Sequence, residues 1–172
     1  ATLQSHYLNT NTISTIESGH WDYIVLQEQS TRPIEETELF YQYAELIDEI
    51  IIDSGAETMF FMTWARENNP SMIEGLANAY NTIGQELNAK VCPIGRAWEL
   101  AIDVDSSIEL YSNDGSHPNA KGTYLSVCMF YSCLFGESPI GIEFINDNSI
   151  SDESKDFLQL IAWETIQLYF NN

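Results

Sequence analysis

The chain has 172 residues and a formal net charge of −20, because only six Lys and Arg side chains stand against 26 Asp and Glu. A surface of this sign repels nucleic acid and anionic membranes, and it admits a neutral or cationic ligand more readily than a polyphosphate. Hydrophobic residues make up 44% of the chain, which is enough for a core. The length predicts one domain over residues 1–172.

The sequence offers little evidence for a targeting segment or for a metal site built from cysteines. No apolar run reaches the roughly 20 residues of a membrane-spanning helix, and the start at Ala1 has neither an initiator Met nor the form of a signal peptide. We expect the chain to be N-terminally incomplete, so its localisation stays open, with a secreted or periplasmic site as one option. Cys92, Cys128 and Cys133 form no C-x-x-C pair, which argues against a zinc site.

Helix-period stripes of apolar residues alternate along the chain with short apolar runs typical of buried strands. In chain order the pattern predicts a helix over 2–17, a strand over 23–26, a helix over 36–53, a strand over 58–63, a helix from 69, a strand over 90–94, and helices over 96–103, 118–135 and 151–170. This alternation predicts a three-layer α/β/α sandwich with a parallel sheet. Three strands fall short of the roughly five or six of a typical sheet, so we expect a β-α-β unit upstream.

Ligands of such sheets bind beyond the carboxyl ends of the strands. The first predicted strand is followed by the polar residues Gln27, Glu28 and Gln29, which are candidates for oxyanion or substrate binding. A Gln amide can donate a hydrogen bond to a developing oxyanion. Composition alone is equally compatible with an ordinary polar loop.

The second predicted strand is followed by Trp64, Arg66 and Glu67. Trp can stack on a sugar, and Arg offers a planar fork to a carboxylate. The alternative is structural, with Arg66 paired to Glu67 or another surface acid and Trp64 in the core. For Trp64 we favour the core.

The most informative segment runs from Asp114 to Pro118 and places Asp114 three residues before His117. His shuttles protons near neutral pH, and an Asp on its other ring nitrogen fixes the tautomer. The alternative is an Asx-turn leading into a helix that begins with Pro. His6 and His20 have no neighbouring Cys or clustered acids, so we predict neither a metal site nor a cofactor.

In combination, four segments resemble the SGNH (GDSL-type) hydrolase family. They are Trp21–Ser30, Phe61–Arg66, Asp114–Pro118 and Ala120–Tyr124, and they are most similar to a poorly characterised bacterial branch. The resemblance covers about Ala1 to Ile142. It implies a flavodoxin-like α/β/α sandwich and hydrolysis of esters, including acetyl groups on carbohydrates, with acyl transfer in some members.

The resemblance also implies roles for individual residues. His117 would be the general base, Asp114 its orienting partner, and Gln29, or else Gln27, an oxyanion donor. Trp64 and Arg66 belong to the branch's pattern without a role that can be carried over. The nucleophilic Ser would lie in a Gly-x-Ser turn upstream of Ala1.

Two serines within the chain are weaker candidates for the nucleophile. Ser30 lacks a Gly-rich turn, and Ser116 is expected to point away from the neighbouring His117. We therefore expect the 172 residues alone to be inactive.

The expected function is that of a serine esterase or deacetylase acting on a small molecule or glycan ester. An acyltransferase and a non-catalytic binding module of the same fold are the alternatives. Besides the substrate, the expected partners are the missing N-terminal segment or a second copy covering exposed sheet surface. Nucleic acid and membranes are not expected to bind.

Overall fold

The computed structural model describes residues 1–143 and 149–170. Its elements, in chain order, are α1 (Leu3–Tyr7), α2 (Thr10–Ser18), β1 (Tyr23–Leu26), α3 (Arg32–Glu35), α4 (Thr37–Asp53), β2 (Glu57–Phe61), α5 (Met72–Glu86), β3 (Lys90–Cys92), α6 (Ile94–Val104), α7 (Ala120–Phe135) and α8 (Asp152–Phe170). The chain divides into two compact units, Ala1–Thr63 with Glu74–Cys92, and Trp64–Ile73 with Pro93–Asn172. The single-domain assignment stays a prediction.

The first unit contains a three-stranded parallel sheet in the order β1-β2-β3. Val25 of β1 is paired with Met59 of β2, and Met59 is paired with Lys90 of β3. The centre of β2 is fully buried on both faces, as an apolar run in a parallel sheet requires. The predicted α/β class with a parallel sheet is confirmed.

An aromatic cluster forms the core of the first unit. Phe40 of α4 and Tyr80 of α5 lie 4.9 Å apart between ring centroids, and both rings lie within 6.2 Å of Phe60 in β2. All three side chains are fully buried. Burial of an aromatic ring is a major source of stability, so this cluster joins both helices to the sheet.

Two local differences from the predicted elements have identifiable causes. The predicted helix over 2–17 is two helices, because the Asn9 side chain accepts a hydrogen bond from Asn11 N (3.0 Å) and so caps a new helix. The polar stretch after β1 contains the short helix α3, with Pro33 in its first turn, where Pro is tolerated. The remaining predicted elements differ from the observed ones by a few residues at their ends.

The second unit consists mainly of α6, α7 and α8. Trp98 of α6 and Tyr124 of α7 are buried, and the Tyr124 hydroxyl accepts a hydrogen bond from Gln159 Nε2 of α8 (2.8 Å). The Asn119 side chain caps α7 by accepting from Gly122 N (3.1 Å), which sets the start of that helix at Ala120, directly after the segment that contains His117 and Pro118. Within the described residues, no helix is long and apolar enough to cross a membrane.

Candidate active site

The turn from Asp114 to His117 brings a carboxylate and an imidazole into direct contact. Asp114 Oδ2 lies 2.6 Å from His117 Nδ1. The other oxygen, Oδ1, accepts from the backbone N–H groups of Ser116 and His117, each at 2.9 Å. Gly115 has φ +64°, a conformation that favours glycine, and this allows the chain to fold back over the carboxylate. One carboxylate therefore organises both the turn and the ring.

These contacts determine the charge and the tautomer. The hydrogen bond with the His117 ring, followed by those with the backbone N–H groups of His117 and Ser116, holds the pKa of Asp114 well below its usual range. An ionised carboxylate can only accept, so in the neutral ring Nδ1 carries the proton and Nε2 carries the lone pair. The His117 side chain is 79% exposed, and Nε2 has no hydrogen-bond partner in the described part of the chain. It can therefore act as a base toward an incoming group.

The segments on either side of the turn close it into a small loop ahead of α7. Ser112 N donates to the His117 carbonyl (2.8 Å), and Ser112 Oγ donates to the Pro118 carbonyl (2.9 Å). Asn119 N donates to the Leu110 carbonyl at 2.9 Å. The backbone on both sides of His117 is thus tied down, which reduces the entropy that orienting the ring would otherwise cost.

Trp64 and Glu67, which follow β2 in the sequence, also contact this turn. Trp64 Nε1 donates to the Ser116 carbonyl (2.9 Å), and Glu67 N donates to the Gly115 carbonyl (3.0 Å). Arg66 is exposed, and no ion pair with Glu67 is present among the described residues. The structure thus brings Trp64 to Asp114 and His117, whereas a substrate-binding role for Trp64 or Arg66 stays a prediction.

Tyr111 is a supporting residue that the sequence analysis did not single out. Its hydroxyl donates to the Ala65 carbonyl (2.8 Å), and its ring lies edge-on to Trp98. Burial, with a smaller effect of the Glu67 carboxylate, raises the pKa of Tyr111 to about 12, so the donating proton stays in place. No sequence pattern marks such a residue, because its partner is 46 positions away.

The polar residues after β1 lie in the first unit. Gln27 is exposed. Gln29 Oε1 accepts from Thr31 N (3.0 Å) and Arg32 N (3.1 Å), so the amide nitrogen is the opposite, donating end of that side chain. That nitrogen, Nε2, donates to the neighbouring Ser30 Oγ at 3.5 Å, and the oxyanion role of Gln29 or Gln27 stays a prediction.

Glu28 differs from its two neighbours because it is buried, with 1% of its surface exposed. Its carboxylate accepts from Gln29 N (2.6 Å) and from Leu3 N in the first turn of α1 (3.2 Å). Burial raises the pKa of Glu28, and the two N–H donors and the Arg32 guanidinium oppose that rise. These contacts tie α1 to the end of β1, and a substrate-binding role for Glu28 stays a prediction.

The raised pKa of Glu28 predicts a pH-dependent contribution to stability. The folded state binds this proton more tightly than the unfolded state, so the free energy of unfolding falls as pH rises from the ordinary Glu pKa of about 4.3 through the raised folded value. Glu28→Gln cannot titrate, and it should gain stability relative to the wild type across that window. Urea unfolding between pH 4 and 7 measures the difference, with exposed Glu45→Gln as the matched control. Parallel pH curves for Glu28→Gln and the wild type would contradict the assignment.

The two serines considered as nucleophiles within the chain have different surroundings. Ser30 belongs to the first unit, next to Gln29. Ser116 lies in the turn itself, where its N–H donates to Asp114 and its carbonyl accepts from Trp64. Among the described residues, no group of three His, Cys, Asp or Glu side chains is placed to hold a metal ion.

Solved structures share this arrangement of elements, although no family model and no curated protein matches the chain. The crystal structure of a DUF4886 family protein from Bacteroides uniformis ATCC 8492 aligns with a TM-score of 0.77 at 17% identity, over 100% of this chain and 81% of that one. A protein from Slackia heliotrinireducens, named "a putative SGNH hydrolase", aligns with a TM-score of 0.67 at 20% identity, over 77% of this chain and 79% of that one. At these identities the likeness concerns the fold alone, and it confirms that the chain has an α/β fold similar to that of a protein named as an SGNH hydrolase.

Proposed function

We propose that the protein is a serine esterase or deacetylase of SGNH type that hydrolyses an ester, such as an acetyl ester, on a carbohydrate or another small molecule. The observation that carries the proposal is the 2.6 Å contact between Asp114 Oδ2 and His117 Nδ1 in a turn that leaves the imidazole exposed. The SGNH-type fold supports it. The proposal assigns the general base to His117 and the orienting carboxylate to Asp114.

The proposed reaction follows the chemistry of an activated serine. A Ser hydroxyl attacks the acyl carbonyl while His117 Nε2 takes its proton, and the same proton then goes to the departing alcohol oxygen. Water attacks the acyl-enzyme next, and His117 takes a proton from that water and returns it to the Ser oxygen. Asp114 stays ionised throughout and stabilises the imidazolium that forms twice in each cycle.

The proposal places the nucleophilic Ser on a segment that precedes Ala1 in the natural polypeptide. The surroundings of the two candidate serines support this placement. The backbone of Ser116 is held inside the turn, and Ser30 follows the first strand without a Gly-rich turn. An exposed serine nucleophile needs a sharp turn that presents its hydroxyl, which is the usual reason for glycine beside it.

The charge of the chain bears on the choice of substrate. With a net charge of −20, the surface disfavours polyphosphates and other polyanions. Asp114 contacts His117, and the Glu67 carboxylate lies beside Gly115, so both side chains add negative charge to the turn. A neutral acetylated sugar, or one that carries an amine, therefore fits the proposal better than a phosphorylated ester.

A serine-directed fluorophosphonate tests the proposal on the full natural polypeptide that contains these residues. We expect covalent labelling of one Ser that precedes Ala1, together with turnover of 4-nitrophenyl acetate, while residues 1–172 alone stay unlabelled. Peptide mass spectrometry identifies the labelled residue. A label on Ser30 or Ser116 would contradict the upstream nucleophile. A folded full-length protein with neither label nor turnover would contradict the esterase and favour a binding module.

The same preparation separates hydrolysis from acyl transfer. Both reactions pass through an acyl-enzyme, and they differ in whether water or another hydroxyl group accepts the acyl group. With an acetylated oligosaccharide as donor and an unmodified one present in excess, a hydrolase releases free acetate. Transfer of most of the acetyl groups to the second sugar would instead identify an acyltransferase.

A further inference from the structure

Two consecutive peptide groups in the turn are held from both sides. On one side, the N–H groups of Ser116 and His117 both donate to Asp114 Oδ1 at 2.9 Å. On the other side, the carbonyl of Gly115 accepts from Glu67 N (3.0 Å), and the carbonyl of Ser116 accepts from Trp64 Nε1 (2.9 Å). The orientation of the peptide that leads into His117 is therefore set jointly by Asp114 and Trp64.

Trp64 is itself held in place within the second unit. Its ring stacks on Trp98 with 4.2 Å between centroids and 3° between planes. Trp98 is 1% exposed and lies edge-on to Tyr111, whose hydroxyl donates to the carbonyl of Ala65, the residue after Trp64. Both the indole and the backbone beside it thus have fixed partners, and the indole N–H has a defined direction.

Loss of the indole N–H would have a specific effect on the turn. The Ser116 carbonyl could then rotate toward water, and the peptide plane between Ser116 and His117 would turn with it because that unit is planar. This rotation moves the His117 N–H away from Asp114 Oδ1 and changes the direction of the imidazole. A hydrogen bond weakens steeply as its geometry departs from linear, so the contact between Nδ1 and Oδ2 would weaken as well.

We propose that Trp64 is a positioning residue that fixes the His117 imidazole against Asp114 through the Ser116 carbonyl. The consequence for turnover rests on the proposed esterase function, whereas the consequence for the Asp114–His117 pair does not. Trp64 is separated from Ser116 by 52 residues, so the contact exists only in the folded chain.

Trp64→Phe tests the proposal, because it keeps an aromatic ring against Trp98 and removes the N–H. Trp21→Phe is the matched control, since Trp21 Nε1 also donates to a backbone carbonyl, that of Thr15 (3.1 Å), in the first unit. Carbon-13 NMR follows the titration of the Asp114 carboxyl in the full polypeptide, and hydrogen exchange follows the Ser116 and His117 amides. Neither measurement requires a substrate or the nucleophile.

In Trp64→Phe we expect the pKa of Asp114 to rise toward its ordinary value, because the donors that lower it are less well aligned, and we expect both amides to exchange faster. Trp21→Phe should leave both observables as in the wild type. If Trp64→Phe does not fold, replacement of Trp64 by 3-benzothienylalanine keeps the size of the bicyclic ring and still removes the N–H. A folded variant at position 64 with a wild-type Asp114 titration and wild-type amide exchange would overturn the proposal.

Kinetics on the full polypeptide then separate the two proposals. A misplaced general base lowers kcat with little change in substrate binding, so Trp64→Phe should lower kcat about tenfold or more and leave KM within about twofold. If the Asp114 titration shifts in Trp64→Phe but the wild-type protein hydrolyses no ester, the positioning role of Trp64 is supported and the esterase function is contradicted. An active esterase with wild-type kcat in Trp64→Phe would overturn the positioning role alone.

Discussion

Replacing His117 with Ala should lower kcat for ester hydrolysis in the full polypeptide by about 10⁴- to 10⁶-fold, the range seen when one member of a triad is removed. Without Nε2, the Ser hydroxyl has no acceptor for its proton, and the departing alcohol has no donor. The measurement is single-turnover and steady-state hydrolysis of 4-nitrophenyl acetate. The substrate's KM should change far less than kcat, since the proposed role is in the chemical steps.

Because His117 is exposed, its replacement should affect activity without disturbing the fold. Its side chain is 79% exposed, so His117→Ala leaves no buried cavity and should fold normally. His20→Ala is the matched control, because His20 is also exposed and belongs to the first unit. Free imidazole can reach an open site, so it should restore part of the activity of His117→Ala. A folded His117→Ala with wild-type turnover would contradict the assignment.

Replacing Gly122 with Ala should destabilise the chain even though Ala is the better helix former. An added Cβ would lie 2.5 Å from the Leu110 carbonyl oxygen and 2.5 Å from Cζ2 of Trp98, and both of these residues are fully buried. The Leu110 oxygen cannot withdraw without losing its hydrogen bond from Asn119 N. Overpacking of this kind costs about 1–3 kcal/mol, occasionally more, against a gain in helix propensity of about 1 kcal/mol.

Because the clash involves a backbone oxygen, we expect a net loss of about 2 kcal/mol for Gly122→Ala. In a chain of this size that corresponds to a Tm lower by about 4–8 °C, measured by thermal unfolding of residues 1–172. Gly75→Ala is the matched control, because the three atoms nearest to its added Cβ all belong to the side chain of Ile34, the first at 3.2 Å, and Ile34 is partly exposed and can shift. Equal Tm values for the two variants would contradict the packing argument.

Local patterns were sufficient to predict most of the secondary structure. The apolar stripe of α4 buries Phe40, Ala44, Ile47 and Ile51, and each of these lies three or four residues from the next. Strand β2 is a short apolar run because a central parallel strand is buried on both faces. The split between α1 and α2 had a readable signal in Asn9, a residue type that favours the start of a helix.

The pairing of Asp114 with His117 could also be predicted, because the two residues are three positions apart and one turn suffices to join them. The roles of other residues in the two polar segments that follow the strands could not be predicted. Trp64 was expected in the core, yet it is partly exposed and donates to a carbonyl in the turn. Glu28 lies between Gln27 and Gln29 in a polar stretch of the sequence, yet it is buried, and N–H groups from Leu3 and Gln29 donate to its carboxylate.

The sequence by itself determined the order of helices and strands and the acid–base pair, since both depend on interactions within a few residues. Tertiary structure alone decided what surrounds that pair. The hydrogen bond from Trp64 to Ser116 spans 52 residues, and the one from Tyr111 to Ala65 spans 46. Contacts over such separations leave no periodic trace in the sequence, because each depends on the positions of elements that pack only after the chain has folded.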